Sequence, residues 1–234
     1  MSYLKDLSDK KLAIQGKNLR KIFSGEKVNV EPIIDVSLES YFREITVLKG
    51  PSGGGKSVVI NILAGLIRPD SGKVYIFGED TSHWSWNKWN GFRRRYISYM
   101  PQRSMFITGL TVIENILMPI HIVGGDIRSA KEKVIELSKE LGINHILDRK
   151  VYTLSGGEKR RVSLIRCLIN PKPIMLLDEP TSHLDGDTAQ KVIDKIIEYR
   201  DSSRTIIVAS HDSKVIDIGD TIYEISNGRS IKIR

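Results

Sequence analysis

A glycine loop set between a strand and a helix constrains this chain more than any other feature. Ile45-Thr46-Val47-Leu48 reads as a buried strand that runs into Gly50-Pro51-Ser52-Gly53-Gly54-Gly55-Lys56-Ser57. Helical spacing of apolar residues follows from Lys56 to Leu66. Glycines let the backbone turn tightly and aim its N–H groups inward, and the helix start behind them adds roughly half a positive charge. Such a loop cradles a phosphate chain. Lys56 is placed to reach the β- and γ-phosphates, and the Ser57 hydroxyl to hold Mg²⁺. A chance glycine-rich turn would not require a strand before it and a helix after it.

Further short apolar runs read as strands: Ile33–Leu38, Val74–Phe77, Ile97–Met100, Ile174–Leu177, Ile206–Ala209 and Ile222–Ile225. Helical periodicity recurs in Arg128–Leu141, Glu158–Leu168 and Thr188–Tyr199, with Gly142 placed to stop the first of these. Strands alternating with helices predict an α/β core with parallel pairing. At the front of the chain, strand runs without long helices between them predict an antiparallel subdomain. From about Arg103 to Leu154 the pattern is mostly helical and interrupts the core. No repeat or linker divides residues 1–234, which read as one domain.

Ile174-Met175-Leu176-Leu177 ends in Asp178-Glu179. A carboxylate at the C-terminal end of a buried strand suits a Mg²⁺ shell, and Glu179 beside it is placed to polarise an attacking water. Alone, the pair reads as well as a helix cap before Pro180; the phosphate loop upstream decides for metal. His211 follows Ile206–Ser210, at the sheet edge where α/β proteins bind ligands. A lone histidine is more often structural, and its position is what favours a role. Gln102, after Tyr99-Met100-Pro101, is a candidate for contact with metal or water; taken alone it is a surface amide. A second loop, Leu154-Ser155-Gly156-Gly157-Glu158, opens another helical segment and makes a second anion site. Ser-Gly-Gly by itself is often a simple turn. One nucleotide has one γ-phosphate, so two such loops imply a shared site or a dimer.

A net charge of +8 and a pI of about 9.5 fit an anionic partner or ordinary surface charge, and do not choose between nucleotide, nucleic acid and membrane. The one cysteine, Cys167, excludes an intrachain disulfide and falls in the apolar pattern Val162, Ile165, Leu168, Ile169, as a buried thiol would. Met1–Lys11 is polar, without the core of a signal peptide. The longest nearly apolar run, Val58–Ile67, is shorter than the roughly 20 residues a bilayer span needs, so the chain is not expected to cross a membrane itself.

In this order the motifs resemble those of the ATP-binding-cassette ATPases, over nearly all of the chain from about Leu12 to Arg234. The phosphate loop at Gly50–Ser57 is followed by a Q-loop at Gln102, a signature at Leu154–Glu158, the acidic strand Ile174–Glu179, a D-loop at Ser182-His183-Leu184-Asp185 and a switch histidine at His211. The resemblance implies an α/β P-loop NTPase core with a mainly parallel sheet, an antiparallel β subdomain and a helical insertion at about residues 103–160. It implies ATP and Mg²⁺ as ligands. Gly50, Pro51, Ser52, Gly53, Gly54, Gly55, Lys56, Ser57 and Val58 would bind the nucleotide. Phe23, in Lys21-Ile22-Phe23, would stack on adenine where tyrosine is more usual; a core phenylalanine is the plainer reading. Ser57, Gln102 and Asp178 would surround the metal. Glu179, His211, Lys56 and Gln102 would carry the chemistry.

The family also implies a use for the second loop. Two cassettes pair head to tail, and Ser155, Gly156, Gly157 and Glu158 of one chain close over the γ-phosphate held by the other, most simply in a homodimer. Membrane permease subunits are the implied further partners, docking between the insertion and the core near Gln102 to Ile120. The chain would then be cytoplasmic and peripheral on the membrane, with no nucleic-acid partner. Leu110-Thr111-Val112-Ile113-Glu114-Asn115-Ile116, with Met118-Pro119-Ile120, resembles the branch of lipoprotein release, macrolide efflux and cell division, which leans to export or extraction. The chain departs from the family in three places. Lys159 and Arg160 stand where glutamines are common, a proline before Leu154 is absent, and Val58 replaces a frequent threonine. None of these removes a catalytic group.

All three tryptophans fall in Trp84-Ser85-Trp86-Asn87-Lys88-Trp89, ahead of Arg93-Arg94-Arg95. Such a cluster could meet a membrane interface or a nucleic acid. Aromatics packing a short helix onto the core, with solvated arginines, is the favoured reading. A chromosome or repair ATPase of this superfamily would carry a long coiled coil between the two loops, and no heptad run is present. A ribosome-associated ATPase would carry two cassettes. A regulator of the division-complex type would look almost the same as a transport subunit.

Overall fold

Unbroken apolar runs become the buried strands of the core. The computed structural model describes residues 11–24, 29–200 and 204–234. Strands β1 (Leu12–Ser24) and β2 (Asn29–Tyr41) precede β3 (Ile45–Lys49), which enters α1 (Lys56–Leu63) through the first glycine loop. Next come β4 (Ser71–Ile76), β5 (Glu79–Asp80), α2 (Trp86–Tyr96) and β6 (Ile97–Met100). Helices α3 (Val112–Val123), α4 (Ile127–Glu140) and α5 (Gly156–Leu168) follow. The chain closes with β7 (Ile174–Asp178), α6 (Gly186–Arg200), β8 (Thr205–Ala209), α7 (Ser213–Asp217), β9 (Thr221–Ser226) and β10 (Arg229–Lys232).

Among the described residues one 10-stranded sheet runs β5-β4-β1-β2-β10-β9-β3-β8-β7-β6. β3 pairs in parallel with β8 and β9, β7 with β8, and β6 with β7. β1, β2, β4 and β5 pair antiparallel, as the front of the sequence predicts. The sheet has apolar cover on both faces. Met175 and Leu177 of β7 join a core with α3, α4, α5 and α6, while Ile174 and Leu176 join a second core with α1 and α2. This two-sided burial is why the central strands read as continuous apolar runs rather than alternating ones.

Helix ends differ from the periodicity in physically specific ways. α1 ends before Leu66 because Gly65 takes φ 65°, and the Trp89 ring fills the space where its Cβ would be. α5 begins at Gly156 because Ser155 caps it, two residues ahead of the periodic pattern. Gly142, φ 67°, lies just beyond the end of α4 as a left-handed stop. The sequence reading missed β1 and β10. β1 hides because register shifts and Asn18 at φ 48° break its alternation.

Trp84 and Trp89 are buried against each other, ring centroids 4.9 Å apart, while Trp86 is 51% exposed and lies under Arg68. The tryptophan segment therefore packs α2 onto the core as favoured, with Trp86 as its exception. Arg94 and Arg95 are exposed, but Arg93 is half-buried and donates to the Gly65 carbonyl at 2.7 Å.

Candidate nucleotide site

β3 delivers the chain to Gly50, and the loop folds back across the end of the sheet. Gly50 has φ 147°, and a Cβ there would lie 2.1 Å from the Ile225 carbonyl oxygen. Gly55 has φ 95°, and its Cβ would meet the Pro32 carbonyl oxygen at 2.5 Å. No L side chain fits either place, so these glycines are fixed by the backbone before any ligand is considered. The loop wraps its own lysine. Lys56 Nζ donates to the carbonyls of Gly50 at 2.8 Å and Pro51 at 3.0 Å, and lies 3.8 Å from Glu179 Oε1.

Ser52 through Val58, Gln102 and Glu179 line one cavity of about 240 Å³, walled on the far side by Pro32. Asp178, at the end of β7, is 2% exposed, and its Oδ1 has no hydrogen-bond partner. Burial raises the Asp178 pKa, and a hydrogen bond from the Ser57 side chain pulls it back down. A hydroxyl and a carboxylate with one orphaned oxygen are hard donors that fit Mg²⁺, an ion that keeps much of its shell for water and phosphate. Among the described residues no three His, Cys, Asp or Glu cluster into a metal cage. An ion held by this pair would complete its shell from the other groups that face the cavity, from substrate and from water.

Glu179 adopts φ 53° immediately before Pro180, where an extended backbone is the norm. Strain of that kind amounts to roughly 1–3 kcal/mol and persists only where the surroundings impose it. Here the Glu179 N–H donates to the Ala209 carbonyl at 2.8 Å. His211 Nδ1 lies 3.0 Å from Glu179 Oε1, donating to the carboxylate. Thr181 Oγ1 donates to Asp212 Oδ2 at 2.8 Å, and Asp212 N–H to Ser210 Oγ at 3.1 Å. These bonds lace the ends of β7 and β8 together, so the carboxylate and the histidine are held as a unit.

Phe23 sits near the end of β1, 41% exposed, opposite Val30 of β2. Val30 and Pro32 line a second hollow that shares Ser52, Gly53 and Gly54 with the phosphate cavity. Phe23 lies outside the cavity itself, and the buried-core reading of this ring does not hold.

None of Ser155, Gly156, Gly157 and Glu158 lines the cavity. Ser155 and Glu158 form a reciprocal cap: Ser155 Oγ accepts from the Glu158 N–H at 3.2 Å, and Glu158 Oε2 accepts from the Ser155 N–H at 2.7 Å. That backbone bond lowers the Glu158 pKa. The Ser155 hydroxyl also hydrogen-bonds the Glu158 carboxylate, and the pair stands beside amides at the exposed start of α5. The D-loop supports this end. A Cβ on Gly157 would come within 3.0 Å of the His183 carbonyl oxygen.

The sequence reading gave no role to Thr181, Ser210, Asp212 or Arg160. The first three adjoin residues it singled out and act through backbone geometry it could not see. Arg160 had a signal: it shares an i, i+4, i+7 stripe with Leu164 and Cys167 and is 3% exposed. A hollow of about 370 Å³ opens between α2–β6 and α3–α5, with Met118 and Ile122 beside Arg93, Arg94, Arg166 and Lys172, and no carboxylate in its lining. It reaches Asn115 to Val123 but not Gln102, which belongs to the phosphate cavity.

Comparison with known proteins agrees with this geometry. Residues 33–182 match the family described as ABC transporter. The lipoprotein-releasing system ATP-binding protein LolD of Pseudomonas syringae is 33% identical, covering 97% of this chain and 100% of LolD. The macrolide export ATP-binding/permease protein MacB of Bartonella quintana is 33% identical over 92% of this chain, which spans 33% of MacB. The solved ATP-binding cassette MJ0796, dimeric and bound to ADP and Pi, superposes with a TM-score of 0.87 at 28% identity, covering 94% of this chain and 99% of that one. With this match over residues 33–182, around a glycine loop and a strained glutamate that line one cavity, the chain belongs to the ABC transporter family as an ATP-binding ATPase subunit.

Proposed function

We propose that two copies of this chain pair head to tail over two ATP molecules and drive a separate membrane permease. One observation carries the reading: Lys56, Gln102 and Glu179 converge on a cavity that the chain's own signature loop does not reach. A second copy would supply Ser155, Gly156, Gly157 and Glu158 in trans, as an isologous contact provides. The dimeric state of MJ0796 supports it.

Within each site, Gly50 to Val58 bind the phosphates and Phe23 presents its exposed ring to adenine. Lys56 and the loop amides stabilise charge on the transferred phosphoryl group. Ser57, Asp178 and Gln102 hold Mg²⁺, which when bound neutralises phosphate charge. Glu179 orients the attacking water as general base, and His211 fixes the Glu179 carboxylate and reaches toward the γ-phosphate.

No helix among the described residues is long and apolar enough to cross a membrane. MacB is named as both an ATP-binding and a permease protein, and this chain spans 33% of it, while LolD, named as an ATP-binding protein alone, is covered in full. The cation-rimmed hollow over Met118 and Ile122 suits an apolar docking segment bearing carboxylates. Docking of that kind would put the chain at the cytoplasmic face of the membrane. Export or extraction is the direction supported by the names of LolD and MacB.

Ser155→Arg tests the shared site. ATP binding by the monomer should persist while hydrolysis stops; full hydrolysis by a strictly monomeric form would end the reading. For the permease, deleting the membrane protein that co-purifies from native membranes should release the chain from the membrane fraction. Unchanged membrane binding would count against docking.

A further inference from the structure

Arg160 is a charge buried without an obvious reason. Arg160 is 3% exposed, and its Nη1 donates to the carbonyls of Pro101 and Gln102, each at 2.8 Å. Nε and Nη2 have no hydrogen-bond partner. Burial lowers its pKa to about 10, against attraction from Asp178 and Glu179, so it remains charged at neutral pH. Burying a cation with donors unused is unfavourable, and an apolar or amide side chain would fill the space at less expense.

The position of Arg160 gives the charge a use. It stands just over one turn into α5, the helix whose first residues would enter a partner's site. The carbonyls it grips belong to the loop that carries Gln102 into the chain's own phosphate cavity. α5 is a continuous helix from Gly156 to Leu168. A displacement of the Gln102 loop therefore moves the Ser155 end with it, and the reverse. The two unused donors leave the guanidinium free to take a second set of bonds when the loop shifts, which is what a two-state connection requires.

We propose that Arg160 is a positioning residue that couples the two halves of the shared site within one chain, linking the Gln102 loop that meets its own ATP to the signature end that closes on its partner's. This rests on the head-to-tail reading above. It assigns a job to a residue that departs from the glutamine common at this place.

Arg160→Met and Arg160→Lys in a Glu179→Gln background test it by three measurements: trinitrophenyl-ATP affinity, ATP-driven dimerisation by sedimentation, and melting temperature. Arg160→Met should leave nucleotide affinity and melting temperature in place and weaken dimerisation about tenfold or more. Arg160→Lys, which can still donate to both carbonyls, should recover most of that loss. Unaltered dimerisation in Arg160→Met overturns the proposal. So does a parallel fall in melting temperature and nucleotide affinity, the mark of a residue that only supports the fold. If the Glu179→Gln parent stays monomeric at saturating ATP, the head-to-tail reading fails and takes this proposal with it.

Discussion

The two glycine loops offer the same groups, backbone amides at a helix start, in opposite settings. The loop at Gly50–Ser57 is pinned from below by the Ile225 and Pro32 carbonyls and holds a lysine whose ammonium is spoken for by two carbonyls and a glutamate. The loop at Ser155–Gly157 stands at the exposed start of α5, capped within itself, and does not line the cavity around Lys56 in its own chain. On the head-to-tail proposal, one loop encloses the ligand and the other is presented to it. Amide chemistry alone does not distinguish the two; what lies beneath each loop does.

The largest test of that contrast removes the chemistry from the enclosing side. Glu179→Gln should lower turnover by about 10²–10⁴-fold while ATP binding remains, and scattering should show dimer accumulating with ATP. Wild-type turnover in this variant would sink the assignment of Glu179. Mixing separates the loops more sharply. Lys56→Ala and Ser155→Arg chains are each expected to be inactive alone. Combined in equal amounts, they make mixed dimers with one composite site intact, and hydrolysis should return to roughly a quarter of wild type. No recovery would mean that both loops act within one chain.

The same substitution in each loop gives a smaller, opposite pair of effects. Gly50→Ala drives a methyl into a carbonyl and should destabilise the fold by about 1–3 kcal/mol in urea titration. Gly156→Ala has space, its nearest neighbour being His183 at 3.9 Å, and should gain up to about 1 kcal/mol from helix propensity while still lowering turnover. Equal stability losses would erase the distinction. Smallest of all is the response of Cys167. Burial pushes its thiol up to about 12, so a thiol reagent at pH 8 should leave the folded chain unmodified and react once it is denatured.

Much of this arrangement was legible in the sequence because strand, loop and helix announce themselves locally. Gly50–Ser57, Asp178 and His211 each follow an apolar run, and the end of a buried strand is where the sheet presents them. α3 was harder, since Pro119 lies inside it, although Thr111 and Glu114 spell its capping box. What stayed hidden depends on contacts between distant segments. The left-handed turn of Glu179 needs Ala209, and the burial of Arg160 needs the Pro101 and Gln102 carbonyls. That the hollow takes Asn115 to Val123 and not Gln102 depends on how α3 and α5 pack beside α2 and β6.

The contact of Trp89 with Gly65 has an optical consequence. Gly65 closes α1, an eight-residue helix of about 12 Å whose other end carries Lys56 and Ser57. The chain's 3 tryptophans all lie within six residues of one another, two of them packed edge to face behind that helix. Indole emission from the unlabelled protein thus has one source, at the rear of the phosphate loop. A nucleotide that shifts α1 along its axis will register there as a change in colour or intensity.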